Sequence, residues 1–207
     1  MLSLDHIAVA ARTLKEGRAF VEQALGISLQ KGGQHPRFGT HNLLIGLEDG
    51  LYLEVIAVDP QADLPPDPRW FRLDEFEDDP CLHNWICRTE DMAADLPRMP
   101  EGAGRVVALA RGDLRWKMAV PEDGRLPYDE TCPALIQWQG RHPAAGLKQS
   151  GARLLRLVVR HPEADTLAAE MAPLLDDPRV VFERADRPAL VAEFDVNGER
   201  RSLGRAE

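Results

Sequence analysis

Leu4-Asp5-His6-Ile7-Ala8-Val9-Ala10, taken with Leu51-Tyr52-Leu53-Glu54-Val55-Ile56-Ala57-Val58, decides how this chain folds. Both are short apolar runs rich in β-branched residues and so predict strands. Alternation places Ile7 and Val9 on one face of the first strand and His6, Ala8 and Ala10 on the other. In the second, Leu53 and Val55 share a face, and Tyr52, Glu54 and Ile56 share the opposite one. A carboxylate in the middle of an apolar strand is costly to bury unless a cation, a metal or a hydrogen-bond donor meets it. A His and a Glu facing one cavity supply such a meeting point, as two ligands of a divalent metal.

Working outward, Thr13 and Glu16 form a capping box for a helix over Arg12–Leu25 that stops at Gly26. Ile27–Gln30 is a short strand, followed by a link through Gly32 and Gly33. Thr40–Leu47 is another strand, and Glu48-Asp49-Gly50 turns the chain into the Glu54 strand. The first unit, residues 1–58, is therefore β-α-β-β-β. Residues 59–80 hold five prolines among acids, together with Trp70-Phe71. They predict a surface connector whose aromatic pair packs onto the body.

The order then repeats over 81–140: strand His83–Arg88, helix Asp91–Met99, strands Gly104–Ala110 and Leu114–Val120 around Arg111-Gly112-Asp113, and a last strand Ala134–Gln139. A third, shorter unit over 151–207 has a strand Leu154–Arg160 and a helix Glu163–Leu175. Strands near Val180–Glu183 and Leu190–Val196 follow, and then an Asn197-Gly198 turn into a final short segment. The predicted class is α+β: paired βαβββ modules forming a curved open sheet around a cavity, plus a third partial module.

Composition limits the function. A net charge of −9 with no basic stripe argues against nucleic acid. No apolar run approaches the roughly 20 residues of a membrane span. An acid at Asp5 argues against a signal peptide. Three scattered cysteines give neither a disulfide framework nor a Cys-rich zinc site. The expectation is a cytoplasmic protein with a small-molecule substrate and a possible homodimeric state.

Leu4-Asp5-His6-Ile7-Ala8-Val9, Phe38-Gly39-Thr40-His41-Asn42, the run Tyr52 to Pro60, Trp70-Phe71 and Arg115-Trp116 together resemble the glyoxalase-like branch of the vicinal oxygen chelate superfamily. That group includes glyoxalase I, bleomycin-resistance proteins and extradiol dioxygenases. The resemblance implies a divalent metal (Zn, Ni, Mn or Fe) on the floor of the sheet, chelating two neighbouring substrate oxygens. It also implies four protein ligands, from the first and fourth strands of each module. His6 and Glu54 match the first pair. The second-module counterparts are Asn84 and Gln137, a departure from the pattern, and His83 beside Asn84 points to the other face unless a bulge re-aims it. His41 is then the candidate to complete a two-His, one-carboxylate set.

Metal ligands are thus expected at His6, His41 and Glu54, with Glu54 also the catalytic base. Substrate contacts are expected from Asn42, Arg37, Arg115, Trp116 and Gln137. Whether His41 or Asn42 faces the cavity depends on strand register, and Glu54 pairing structurally with Arg115 is the competing role. Two functions follow: a metal-dependent lyase or isomerase working through an enolate or alkoxide (a dioxygenase being the less favoured enzyme), or a binding protein that keeps the cavity without the chemistry.

Overall fold

The computed structural model describes residues 1–204. The first unit runs β1 (Ser3–Ala10), α1 (Leu14–Leu25), β2 (Gln30–His35), β3 (Thr40–Gly46) and β4 (Tyr52–Val58). The second runs β5 (Cys81–Arg88), α2 (Met92–Asp95), β6 (Arg105–Arg111), β7 (Leu114–Val120) and β8 (Ala134–Trp138). These strands form one eight-stranded sheet in the order β2-β3-β4-β1-β5-β8-β7-β6. Within each unit the first strand pairs parallel with the fourth, β1 with β4 and β5 with β8. The antiparallel β1–β5 pair joins the two units. The sheet curls into a half-barrel with β2 and β6 as its free edges.

The third unit, β9 (Ala152–His161), α3 (Ala164–Met171), β10 (Val180–Arg184), β11 (Ala189–Val196) and β12 (Glu199–Gly204), forms its own sheet in the order β10-β9-β11-β12. Its wiring differs from the other two: β9 pairs parallel with β10 rather than with the fourth strand. It covers the convex side of the half-barrel. Ile7, Val9, Leu53, Val55 and Trp85 from the large sheet share one core with Val21, Leu157, Phe194 and Leu203. A second core fills the concave side with Ala8, Ala10, Ile56, Ile86, Trp116 and Ile136. This two-sided burial is why the β1 and β4 segments are apolar on both faces, apart from the polar residues described below.

Local chemistry accounts for most boundaries. Thr13 caps α1 by accepting from the Glu16 N–H at 3.2 Å, and Gly26 closes it in the left-handed region at φ 69°. The helix expected over 91–99 shortens to α2 and one 3₁₀ turn, Leu96–Arg98. Pro97 removes a backbone donor there, and Pro100 restricts the residue before it. The supposed Gly32-Gly33 link is part of β2, as a close-approach strand rather than a turn. A Cβ on Gly32 would sit 2.0 Å from Asn42 Oδ1, and one on Gly33 would sit 2.7 Å from Arg111 Cδ. In the 59–80 segment Trp70 and Phe71 are buried, stacked on each other with Trp70 also on Phe38, and they plug the concave side.

Candidate functional site

His6 on β1 and Glu54 on β4 meet on the concave face, with His6 Nε2 3.6 Å from Glu54 Oε2. The parallel β1–β4 register pairs Ala8 with Glu54 and His6 with Tyr52, so the two polar side chains lie diagonally on one face. Tyr52 stacks flat on the His6 ring at 4.2 Å between centroids. Asn42 on β3 donates through Nδ2 to Glu54 Oε1 at 2.6 Å.

Asp5 is the partner that strand alternation conceals. The β1–β5 register slips between Leu4 and His6, a β-bulge with Asp5 as the extra residue. Leu4 and Ile7 stay in the convex core, while Asp5 reaches the same polar cluster as His6. Fully buried, its carboxylate lies 2.6 Å from His6 Nδ1. It also accepts from Trp138 Nε1 at 3.0 Å and meets His142 Nε2 at 2.9 Å.

The protonation states follow from these contacts. Burial alone would push His6 down, but the hydrogen bonds and charges of Asp5 and Glu54 outweigh it and hold His6 up at about 9. Burial would likewise raise Glu54, yet His6 and Asn42 bring it down to about 2. Hydrogen bonds from His142 and His6 overcome the burial of Asp5 and keep it well below the carboxylate range. At neutral pH the cluster is therefore carboxylate, imidazolium, carboxylate.

His6 stabilisation is complete below its ordinary value of 6.5 and is lost as pH rises through about 9. For Glu54 it is complete above 4.5 and lost as pH falls toward about 2. The thermal midpoint should thus be level between these ordinary values and fall toward pH 9. Differential scanning calorimetry across pH checks this: His6→Gln should remove most of the alkaline fall.

His35, at the end of β2, lies at the rim. Its Nδ1 is 3.1 Å from Thr40 Oγ1 and its Nε2 3.0 Å from Arg111 Nη1. Burial, with help from the Arg111 charge, drops His35 to about 4, so it is neutral and accepts from the guanidinium. Arg111, at the far end of β6, also lies 3.4 Å from Asn42 Oδ1. The narrow inner space among His6, Glu54, Asn42, Trp70, Trp116 and Trp138 is about 30 Å³, room enough for an ordered water.

The other expected residues are placed as follows. Asn42, not His41, faces the cavity. His41 turns to the far side of β3, with Nδ1 3.8 Å from Asp59. Trp116 lines the cavity, whereas Arg115 is exposed and donates to the carbonyls of Gly112 and Leu114. Glu54 is therefore not paired with Arg115; its cationic partner is His6. Arg37 is exposed on Asp67. Gln137 faces away from the cavity, with its amide on the Glu90 carbonyl and the Met92 N–H. Asn84 donates to Glu130, whose burial pushes it up to about 7. His83 is the extra residue of a second bulge, and its Nε2 lies 3.0 Å from the Phe71 carbonyl.

The His6–Glu54 spacing would suit two ligand bonds of about 2.0–2.2 Å to one ion. The rest of the set does not follow. Among the described residues no three His, Cys, Asp or Glu side chains converge as a metal-holding group. The second-module counterparts are committed elsewhere, and a guanidinium stands on the other cavity imidazole. The four-ligand centre implied by the superfamily pattern does not fit these residues.

Residues 4–175 match the family described as a glyoxalase-like domain, and the chain belongs to that family, within the vicinal oxygen chelate superfamily. Among solved structures it is similar to a hypothetical protein from Staphylococcus aureus, at TM-score 0.61 and 15% identity over 91% of this chain and 88% of that one. It is also similar to methylmalonyl-CoA epimerase from Mycobacterium tuberculosis, at TM-score 0.44 and 18% identity over 69% and 91%. A single-site variant of the Streptomyces coelicolor methylmalonyl-CoA epimerase, in complex with 2-nitronate-propionyl-CoA, gives 0.42 and 17% over 66% and 92%. No curated protein matches the sequence. Among the described residues no helix is long and apolar enough to cross a membrane.

Proposed function

We propose that this chain is an enzyme of the lyase or isomerase type that moves a proton on a carbon next to a carbonyl of a small oxygen-rich substrate. The observation that carries this reading is the His6–Glu54 pair, 3.6 Å apart and held in opposite protonation states in a largely apolar cavity. Each member stabilises the charge of the other, so at neutral pH Glu54 is free of its proton and His6 carries one to donate in a hydrogen bond. Glu54, ionised, takes the proton from carbon. The electron pair of the broken C–H bond moves onto the carbonyl oxygen. His6, protonated, donates a hydrogen bond to that developing oxyanion. Glu54 then returns the proton to the neighbouring carbon of a 2-hydroxy carbonyl substrate, while the hydroxyl proton passes to the former carbonyl oxygen, which completes an isomerisation. Asp5 positions the His6 ring and keeps it charged. No step runs through a metal, because the donor set does not hold one.

The test is solvent exchange: purified protein incubated in D₂O with a panel of small 2-oxo and 2-hydroxy carbonyl compounds, followed by proton NMR. Protein-dependent loss of an α-proton signal, retained after chelator treatment, is expected for at least one compound. Exchange with none of them, or exchange lost on chelation and restored by a divalent ion, counts against the mechanism.

A second reading is a small-molecule binding protein without turnover. It is favoured by the second module, where Asn84 and Gln137 bond elsewhere and leave the cavity one-sided.

A further inference from the structure

Arg111 is the one residue at the site that comes from a free edge of the sheet and reaches the opposite edge. It ends β6, and its guanidinium bonds His35 Nε2 on β2 and approaches Asn42 Oδ1 on β3. Gly33 on β2 leaves room for this crossing, since a Cβ there would lie 2.7 Å from Arg111 Cδ and 3.0 Å from Nε. The half-buried guanidinium thus touches neutral acceptors. Among the described residues no carboxylate forms an ion pair with it, although most other arginines near acids have one.

A charge-assisted bond to a carboxylate is roughly twice as strong as a neutral one, and the arginine fork matches carboxylate geometry. An incoming carboxylate therefore outcompetes His35 and Asn42 for Arg111. Trp70 in the same cavity wall has a buried indole N–H with no acceptor. Outside the rim, a groove of about 260 Å³ shares His35 and Trp116 with the inner cavity and continues along Leu109 and Arg37. The groove and the inner cavity meet at His35, the residue that Arg111 bonds.

We propose that Arg111 is the carboxylate-recognition residue of this site, and that the substrate is a small carboxylic acid whose reacting carbon lies one or two bonds from the carboxylate. The spacing carries the second half. A single amide group, that of Asn42, spans from Arg111 at 3.4 Å to Glu54 at 2.6 Å. A ligand fragment of similar length that displaces the Asn42 amide puts a carboxylate on Arg111 and a C–H at Glu54. The assignment of the reacting carbon rests on the proton-transfer reading above; the carboxylate contact does not.

The experiment is binding to the full chain, treated with chelator, using pyruvate and lactate as probes and their neutral amides as controls, followed by calorimetry or ligand-observed NMR. At least one acid should bind, and its amide about tenfold or more weaker. Arg111→Gln should lower acid affinity by about tenfold or more and leave the amide unchanged, while Arg115→Gln, on the exposed side of the same hairpin, changes neither. If Arg111→Gln fails to fold, Arg111→Lys serves: it keeps the charge, loses the fork and should fall between wild type and Gln. No binding of either acid, equal binding of acid and amide, or equal losses at Arg111 and Arg115 would overturn the proposal. Glu54→Gln separates it from the functional reading. Acid binding that survives this change in a protein showing no proton exchange leaves the Arg111 assignment standing and removes the catalytic one. Proton exchange on neutral carbonyl compounds, unaffected by Arg111→Gln, does the reverse.

Discussion

Glu54→Gln lowers proton exchange by about 10²–10⁴-fold while the fold survives, because the amide keeps the shape but cannot take a proton at neutral pH. The change also removes one of the two anions that hold His6 charged, so the His6 pKa drops from about 9 toward its ordinary range. Two-dimensional NMR of the imidazole across pH reads this directly, alongside the exchange rate. Asn42, which now donates to Glu54 at 2.6 Å, keeps an oxygen acceptor in the amide. Stability should still fall by about 3–5 kcal/mol, because the amide leaves the buried His6 imidazolium without one of its two anions. Full exchange in the Gln variant would assign the base elsewhere, and neutral His35 would be the next group to test. Melting with Mn²⁺, Ni²⁺ or Zn²⁺ adds an independent arm, since an ion that binds only the folded state raises the midpoint by linkage. Little or no rise in wild type is expected from the donor set.

Asp5→Asn should cost about 3–5 kcal/mol of stability, the range for breaking a buried charge pair by removing one partner. Asp5 is fully buried and lies within bonding distance of His6, Trp138 and His142. An amide presents one oxygen to these groups and turns its own N–H₂ toward at least one of them, leaving unmatched donors where water does not reach. Urea unfolding measures the loss. Trp138→Phe removes one of the three contacts and serves as the scale, with about 1.5–3 kcal/mol expected for one hydrogen bond to a charged acceptor. A loss for Asp5→Asn no larger than that of Trp138→Phe would mean that the charge carries no weight there.

How far the sequence reveals this site depends on which rule each residue obeys. His6 and Glu54 obey strand alternation, so their shared face is legible from the two apolar runs alone. Asp5 breaks the rule: one extra residue in β1 places neighbours on the same side, and nothing in a single sequence marks a bulge. The only signal was the acid itself, set in an apolar strand beside the histidine. Gly32 and Gly33 suggest a flexible link by composition, yet they are strand positions where Asn42 and Arg111 press against the backbone. Their pairing could have pointed to a close approach, though not to its partner. The choice of Arg115 over Arg111 turns on curvature. Both flank the same hairpin, and only closure of the sheet brings its end to His35. The paired units were legible because hydrophobic period and turn residues agree throughout. The different wiring of the third unit was not, since element order does not determine which strand lies next to which.

The half-barrel is held as a book is held, by a spine and a clasp. The spine is the antiparallel β1–β5 seam, buried under both cores. The clasp is the Arg111 guanidinium between the two outer pages, bonded to the neutral His35 imidazole. His6 and Asp5 lie on the spine and Glu54 on the strand beside it. On the proposed reading, recognition sits at the edges of the sheet and proton transfer beside its seam, where His6 and Glu54 lie 3.6 Å apart.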